Sequence, residues 1–427
     1  MKIQWINHAG FLLESGQIKL VCDPWIEGTA FDNGWKLLSP TLFSYEDFKD
    51  VTHIWFSHEH PDHFSPPNIK KIPPQYRSQI TVLYQTTNDK KIVKFCRDAG
   101  FKEVIELPPS QWFEVGDDFK IMNQNDKDGD SWLAIRAEGL GLLNLNDVVA
   151  YRTDAQLMAL NKQIGGIDVL FTQFSYANWV GNPSDVPYRQ TCADEKIKAI
   201  EDQIRIFQPR YVVPFASFVW FCHAENYFVN DCANKIGDIH SWLSSQNVTS
   251  IVMYPNDEWT IGQPYDSEKA IKRYDADYQK IEQNPELLTS KNMDLGTLKA
   301  SAAKYVEQLR KKNGSITQWK LKNPAKIYLT DINQAVHLTI NGMTESSENK
   351  EDCDIAVSTA ALGYCLKFDW GGGTLNVNAR FEKPENGDFT NIENYFYIAN
   401  LNNMGQTYTI QRIVKNGLRR LKEKMNV

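Results

Sequence analysis

The sequence predicts an α/β protein, with a sandwich of sheets and helices over residues 1–265 and a smaller α+β domain after it. Short apolar runs of strand length alternate with helical patterns up to about residue 265, and some neighbouring runs are close enough to form hairpins. Beyond that point, charged amphipathic helical patterns precede a second set of strand-like runs. These two observations divide the chain into a larger first region and a smaller accessory region.

The elements of the first region follow from apolar or alternating runs bounded by turn residues. We expect strands at residues 3–6, 11–14, 18–22, 52–57, 81–84, 103–107, 119–122, 132–137, 140–145, 169–174 and 211–214. Helical patterns fall between them at residues 90–99, 193–207 and 234–246.

Residues 266–320 are predicted to be a helical connector between two domains. Residues 321–427 then form the α+β accessory domain, with strand-like runs, a glycine turn and a closing basic helix. We expect the connector helices at 267–283 and 298–312, strands at 326–329, 336–340, 355–358 and 374–378, the turn at 371–373 and the basic helix at 409–424.

Composition limits the classes of function. The chain of 427 residues has 46 basic and 53 acidic residues and no basic block, which argues against a nucleic-acid or anionic-membrane partner. No apolar run approaches the ~18–20 residues of a membrane helix, so no stable membrane insertion is expected. The N-terminus lacks a signal-peptide pattern, and the seven scattered cysteines are typical of free thiols. We therefore expect a cytoplasmic protein that acts on a small-molecule substrate.

The strongest motif is H-x-H-x-D-H, formed by His58, His60, Asp62 and His63 directly after the predicted strand at 52–57. Three of the eight histidines lie within these six positions. Neutral imidazoles and a carboxylate are good ligands for divalent metals. On a loop that leaves a strand, the first two histidines can face one ion, and the aspartate with the last histidine can face a second.

This motif resembles the signature of the metallo-β-lactamase superfamily, and the likeness covers roughly residues 1–260. The resemblance implies an αββα sandwich that holds one or two divalent metal ions. It also implies that Asp62 and His63 are catalytic, with Asp62 both a ligand and a proton acceptor. Asp23, at the end of a predicted strand, resembles the early aspartate that orients the histidine loop by hydrogen bonds. The residues alone equally permit an Asp-Pro turn there.

Two further ligands are expected from the resemblance. Asp147 follows an apolar strand, where the superfamily places an acid that bridges two metals, although an aspartate in an ordinary turn has the same pattern. His223 follows the strand at 211–214 and takes the place of the last histidine ligand, although it lies several residues late. A structural histidine is the alternative at that position.

The sequence departs from the superfamily pattern in the middle, because no histidine lies between His63 and His223. An oxygen ligand is expected there from Asp126, with Asp128 and Asp130 as less favoured choices and a plain acidic turn as the alternative. An oxygen-rich site suits iron or manganese better than a nitrogen-rich zinc pocket does. The cofactor is therefore predicted to be one or two ions of zinc, iron or manganese.

Four side chains are candidates for the wall of a substrate pocket. His8 resembles a residue of the subgroup that includes L-ascorbate-6-phosphate lactonase, although a hydrogen-bonded core histidine fits its context better. Tyr176 and Trp179 follow the predicted strand at 169–174, and Trp220 lies in a polar loop. Exposed aromatic rings in such places can stack on a sugar or a base.

The segments 144–147 and 214–216, with His223 downstream, resemble the CMP-N-acetylneuraminate hydroxylase group. Those proteins join this fold to a Rieske iron–sulfur domain, which needs Cys-x-His and Cys-x-x-His pairs. The sequence has neither pair, so an electron-transfer role would need a separate redox partner. The segments 353–358, 364–366 and 373–381 resemble a sterol-carrier-like domain, with a generic α+β domain as the alternative.

Three functions remain open at this point. The first is a metal-dependent hydrolase in which a metal-bound water attacks an ester, amide, lactone or phosphodiester. The second is a di-iron oxygenase that acts on a nucleotide sugar or a related metabolite. The third is a binding protein with a decayed site. The retention of so many ligands in order favours an enzyme.

Overall fold

The structure, a computed structural model, describes residues 1–126, 129–149 and 153–412. It divides into two compact units. Unit one comprises residues 1–177, 186–222 and 229–287, and unit two comprises residues 178–185, 223–228 and the described chain from 288 onward. The segment 266–320, predicted to be one connector, is divided between the units, because its first helix belongs to unit one and its second to unit two.

Unit one contains two seven-stranded sheets. The first has the order β17-β1-β2-β3-β6-β7-β8, with strands β1 (Lys2–Asn7), β2 (Gly10–Ser15), β3 (Ile18–Cys22), β6 (His53–Phe56), β7 (Thr81–Gln85), β8 (Glu103–Leu107) and β17 (Glu258–Thr260). The second has the order β16-β14-β13-β12-β11-β10-β9, with strands β9 (Trp112–Gly116), β10 (Phe119–Asn125), β11 (Ser131–Ala137), β12 (Leu140–Asn144), β13 (Val169–Gln173), β14 (Tyr211–Phe215) and β16 (Thr249–Ser250).

A small third sheet, β15-β5-β4, completes the strands of unit one with β4 (Thr29–Ala30), β5 (Trp35–Leu37) and β15 (Val219–Phe221). The helices of this unit are α1 (Pro66–Lys71), α2 (Pro74–Arg77), α3 (Lys91–Asp98), α4 (Asp154–Ile164), α5 (Val186–Phe207), α6 (Ile236–Ser244) and α7 (Ser267–Gln283). Short 3-10 turns lie at Tyr45–Asp50, Asn146–Val149 and Tyr227–Cys232.

Side chains alternate along each strand between the two faces of its sheet, so each large sheet of unit one has an inner and an outer face. Phe11 and Phe171, one from each large sheet, stack in the apolar core between the sheets at a centroid distance of 4.6 Å. The opposite face of the first sheet packs on α1 and α3, and that of the second sheet packs on α4 and α5. Because each sheet is apolar on both faces, helices must cover the outer sides. The predicted αββα sandwich is confirmed.

Parallel pairing brings the ends of several strands to common edges. In the first sheet, β3 runs parallel to β6 and β6 to β7, and in the second sheet β12 runs parallel to β13 and β13 to β14. The segments that follow the carboxyl ends of parallel neighbours therefore lie side by side. The predicted histidine loop follows β6, and the predicted bridging acid follows β12.

Unit two contains a five-stranded sheet packed with helices, so the predicted α+β architecture of the C-terminal domain is confirmed. The sheet has the order β20-β19-β18-β21-β22, with strands β18 (Ala325–Leu329), β19 (Gln334–Thr339), β20 (Gly342–Ser346), β21 (Ile355–Val357) and β22 (Phe381–Glu382). The helices are α8 (Leu295–Asn313), α9 (Ile316–Lys320), α10 (Thr359–Lys367), α11 (Gly371–Asn378) and α12 (Thr390–Asn403), with a 3-10 turn at Lys350–Asp352.

One local prediction in unit two was wrong. The glycine turn at 371–373 and the strand at 374–378 form a single helix, α11. A Cβ on Gly371 would lie 2.4 Å from Cys365 Cα, and one on Gly372 would lie 2.2 Å from Phe396 Cγ. The glycines therefore allow α11 to pack closely on α10 and α12. Residues 413–424 of the predicted basic helix lie outside the described residues.

A helix that spans a bilayer must be long enough to cross it and apolar over that length. Within residues 1–126, 129–149 and 153–412, no helix meets both requirements.

Candidate metal centre

The histidine loop after β6 is held at its first residue, Ser57. The backbone N–H of Ser57 donates to Asp23 Oδ1 at 2.8 Å. Its carbonyl oxygen accepts from Ser131 Oγ at 2.6 Å and from Gln85 Nε2 at 2.8 Å. All four residues joined by these bonds are buried. The loop therefore leaves the sheet in one fixed direction, as a metal site requires.

Asp23 connects the ends of both large sheets. Its Oδ2 lies 3.0 Å from His63 Nδ1 and accepts from Asn146 Nδ2 at 2.8 Å. Asp23 is fully buried, and its φ of +39° places it in a region that L-residues seldom adopt. The bond to Nδ1 leaves His63 Nε2 directed toward the site. These contacts are those that an orienting carboxylate makes.

Replacing Asp23 by asparagine is expected to weaken metal binding about 10- to 100-fold. The amide keeps one acceptor for Ser57, but its N–H₂ group faces the donor Asn146 Nδ2 and can no longer accept from His63 Nδ1. The lost partners should also lower the free energy of unfolding by about 1–3 kcal/mol. Metal titration and chemical denaturation measure the two effects, and Asp50→Asn, whose side chain is exposed, is the matched control. Unchanged affinity would show that Asp23 does not orient the site.

Seven side chains from the loop and the neighbouring strand ends form one continuous donor cluster. They make three overlapping groups, and within each group one candidate ligand atom per residue lies within 4.8 Å of the others. His58 and His63 each belong to two groups, so the groups are linked. The groups are His8, Asp62 and His63; His58, His63 and Asp147; and His58, His60 and Asp130.

The distances within the donor cluster are short. Asp62 Oδ2 lies 3.2 Å from both His8 Nε2 and His63 Nε2. Asp147 Oδ2 lies 3.4 Å from His63 Nε2 and 3.5 Å from His58 Nε2. A carboxylate oxygen shared between two imidazoles in this way is suited to a position between two cations.

The third group contains the most closely spaced nitrogens. His58 Nε2 lies 2.8 Å from His60 Nδ1 and 3.5 Å from Asp130 Oδ1. Ser57 Oγ lies 2.8 Å from His58 Nδ1, so Nε2 is the nitrogen of His58 that faces the cluster. This group offers two nitrogens and one oxygen to an ion.

Burial and neighbouring charge shift the pKa values in the donor cluster in opposite directions. Burial, reinforced by His63 and His60, lowers the pKa of His58 to about 3, so its imidazole is neutral and available as a ligand. Burial also lowers the pKa of His63, but the carboxylates of Asp62 and Asp147 outweigh it and raise that pKa well above its ordinary value. Burial raises the pKa of Asp62, and the charge of His63 outweighs it and holds that pKa well below its ordinary value. Asp62 and Asp147 are therefore ionised carboxylates that a neighbouring cation stabilises.

Buried polar atoms that lack a hydrogen-bond partner show whether the donor cluster suits a metal ion. Among the described residues, His63 Nε2, Asp62 Oδ1 and His8 Nδ1 are buried and have no hydrogen-bond partner. Burying such groups unpaired costs about 1–3 kcal/mol each. A divalent cation would satisfy His63 Nε2, and the mixture of imidazoles and carboxylates matches the ligands of zinc, iron and manganese. The residues present therefore fit one or two divalent ions.

A family model described as a β-lactamase superfamily domain matches residues 2–215, half of the chain. The chain belongs to the metallo-β-lactamase superfamily. The resemblance found in the histidine motif is thereby confirmed.

Curated relatives of the chain include hydroxylases. Cytidine monophosphate-N-acetylneuraminic acid hydroxylase of Danio rerio is 22% identical over 251 residues, which are 55% of this chain and 41% of that protein. A protein of Mycolicibacterium smegmatis with the provisional name Rieske 2Fe-2S iron–sulfur protein is 26% identical over 198 residues, 44% of this chain and 37% of that protein. The chain thus spans about two fifths of the length of these relatives.

Solved structures that are similar to part of the chain include a hydroxylase and a hydrolase. CmlA, a diiron β-hydroxylase from Streptomyces venezuelae, has a TM-score of 0.42 and 13% identity, over 61% of this chain and 54% of that one. The isothiocyanate hydrolase from Delia radicum gut bacteria has a TM-score of 0.42 and 11% identity, over 61% of this chain and 99% of that one.

Of the three acids predicted near the missing superfamily histidine, Asp128 lies outside the described residues. Asp126, the favoured candidate, accepts through Oδ1 from the backbone N–H of Gly129 at 3.0 Å. Asp130, the less favoured choice, is the acid that lies beside His58. In the hairpin register Asn125 pairs with Ser131, and Asp130 lies directly before β11.

His223 is not part of the three ligand groups found among the described residues. It belongs to unit two, where its Nε2 lies 3.1 Å from Ser290 Oγ and its Nδ1 accepts from Glu225 N–H at 3.2 Å. Burial, followed by the charge of Arg380, lowers the pKa of His223 to about 4. Both ring nitrogens thus have partners within unit two, and a metal-binding role for His223 stays a prediction.

The predicted pocket residues have separate surroundings. His8 is buried and belongs to the donor cluster, where its Nε2 lies 3.2 Å from Asp62 Oδ2. Tyr176 is buried and donates from its hydroxyl to the Val229 carbonyl at 2.6 Å. Trp220 lies on β15 with Lys36 Nζ 5.8 Å from the ring centroid, and Trp179 is in unit two. The pocket roles of the three aromatic residues remain predictions.

Proposed function

We propose that the chain is a metal-dependent hydrolase that acts on an ester, amide, lactone or phosphodiester. The donor cluster supports metal binding, and one observation supports hydrolysis in particular. Asp62 is held through Oδ2 between His8 and His63, while its Oδ1 is buried without a hydrogen-bond partner among the described residues. A carboxylate oxygen that is fixed, ionised and unpaired is a base in position to accept a proton.

The side chains of the donor cluster have separate roles in this proposal. A divalent ion held here would supply an acidified water and would stabilise negative charge on the substrate. His58, His60, His63, Asp130 and Asp147 supply the ligand atoms. Asp62 Oδ1 accepts the proton that the attacking water loses, and Asp62 can later return it to the leaving group.

His8 keeps Asp62 in this position. Its Nε2 lies 3.2 Å from Asp62 Oδ2, and the backbone around it is fixed because the His8 carbonyl accepts from Ala216 N–H at 2.9 Å. His8 has a φ of +47°, so the turn between β1 and β2 presents its ring to the carboxylate. Hydrolysis then needs only water as the second reactant.

A second candidate function, a di-iron oxygenase for a nucleotide sugar or a related metabolite, is favoured by two observations. One relative named above, from Danio rerio, is a cytidine monophosphate-N-acetylneuraminic acid hydroxylase, and Asp130 adds a carboxylate to the ligand group of His58 and His60. Carboxylates favour the harder ion, iron. Oxygenation requires electrons, and a separate redox partner would have to supply them.

Metal analysis combined with two assays separates the candidates. The full chain is purified without chelators, its metals are measured by mass spectrometry, and it is assayed with 4-nitrophenyl esters and bis(4-nitrophenyl) phosphate. The hydrolase proposal predicts chromogenic turnover without oxygen or reductant. Two irons per chain, oxygen uptake with a chemical reductant and no turnover of any ester or phosphodiester would overturn it in favour of the oxygenase.

A further inference from the structure

We infer that Gln173 and Lys196 are positioning residues that fix which oxygen of Asp147 binds metal. The inference rests on the proposed metal site and is independent of the choice between hydrolysis and oxygenation. Neither residue belongs to the donor cluster, and both are in unit one.

The first link is between neighbouring strand ends. Gln173 is the last residue of β13, which runs parallel to β12 with Asn144 opposite Phe171. Asp147 lies just beyond the end of β12, so the two side chains meet at the same edge of the sheet. Gln173 Nε2 donates to Asp147 Oδ1.

This hydrogen bond divides the carboxylate of Asp147 into two unlike oxygens. Oδ1 is taken by Gln173, whereas Oδ2 is the oxygen that lies 3.4 Å from His63 Nε2 and 3.5 Å from His58 Nε2. A carboxylate without such a partner can rotate about its terminal torsion, which is broad. Gln173 therefore holds Oδ2 toward the imidazoles.

The second link fixes the orientation of the amide. Lys196, on α5, donates from Nζ to Gln173 Oε1 at 3.1 Å. An ammonium can only donate and a carboxylate can only accept, so the amide between them has a single consistent orientation. With its oxygen on Lys196, the Gln173 amide must present its N–H₂ group to Asp147. The chain of bonds thus runs in series from Lys196 through Gln173 to Asp147.

Cobalt(II) binding to the full-length metal-free chain tests this inference, because its visible absorption reports ligand geometry without any turnover. Gln173→Leu removes both hydrogen bonds at similar volume and is expected to weaken cobalt binding about 10- to 100-fold and to alter the spectrum. Lys196→Met should act in the same direction with a smaller loss, and Lys196→Arg, which restores a donor, should recover the affinity. The double variant should be no worse than Gln173→Leu, since the two residues act in series.

Controls come from the same helix. Gln190→Leu and Lys198→Met change exposed residues of α5 and should leave cobalt binding unchanged. If Gln173→Leu does not fold by circular dichroism, the comparison of Lys196→Met with Lys196→Arg decides. Wild-type affinity and spectrum in Gln173→Leu and Lys196→Met would overturn the positioning role of these two residues but not the metal site. A wild-type chain that binds no cobalt would overturn the metal site as well.

Discussion

Replacing Asp62 by asparagine is expected to reduce turnover of a chromogenic ester about 100- to 10,000-fold. Asparagine has nearly the same shape, but its amide cannot accept a proton at neutral pH. The other two ligand groups, which contain His58, His60, Asp130 and Asp147, do not include Asp62, so at least one ion should remain bound. Initial rates and metal content measured on the same preparation separate loss of the base from loss of the metal.

Asp117→Asn, an exposed acid in the turn between β9 and β10, is the matched control for this substitution and should keep wild-type turnover. A second variant, Asp62→Glu, keeps a base but moves it, and should recover part of the rate. Full turnover in Asp62→Asn with normal metal content would contradict the assigned role of Asp62.

The double variant His58→Ala/His63→Ala is expected to lose nearly all bound metal. Each histidine belongs to two of the three ligand groups, so this pair of substitutions leaves no group complete among the described residues. Removing one coordinating side chain weakens a site strongly, and removing the two that link the groups should reduce metal content to about a tenth or less of that in wild type. Mass spectrometry after purification in metal-supplemented medium measures this.

Loss of the buried imidazoles also removes packing, so folding has to be checked by circular dichroism. His240→Ala, a histidine on α6 whose ring contacts Ser250, is the control and should bind metal normally. Because His58→Gln/His63→Gln keeps polar side chains of similar length, it should fold in any case and still lack metal. Wild-type metal content in either double variant would place the ion elsewhere.

Most of the layered architecture could be predicted because it depends on local signals. The strand that precedes the histidine loop is a buried apolar run, and the loop itself carries H-x-H-x-D-H in six positions. Asp23 and Asp147 also follow strands, and parallel pairing brings such ends together. In a fold built from alternating strands and helices, many site residues can therefore be predicted from their positions after strands.

Features that depend on register or on distant packing could not be predicted in the same way. The choice between Asp126 and Asp130 requires the pairing of Asn125 with Ser131, which spacing alone does not define. The helical state of Gly371 and Gly372 depends on Cys365 and Phe396, which fill the space beside them. Local propensity favours a turn there, and tertiary packing overrides it.

The surroundings of His223 and Gln173 are two other features that the sequence does not report. The order of ligands along the chain suggested His223, but chain order does not report that residues 223–228 belong to unit two. Gln173 carries no sequence signal, since a glutamine at the end of a strand is ordinary. Only the parallel arrangement of β12 and β13 places its amide on Asp147.

The metal content of the full chain, purified without chelators and measured by mass spectrometry against protein concentration, tests the donor cluster most directly. The structure predicts one to two equivalents of zinc, iron or manganese per chain, falling to about a tenth or less in His58→Ala/His63→Ala. A folded wild-type chain that holds no divalent metal, and takes up none when cobalt, zinc or iron is added, would contradict the assignment of these side chains as ligands.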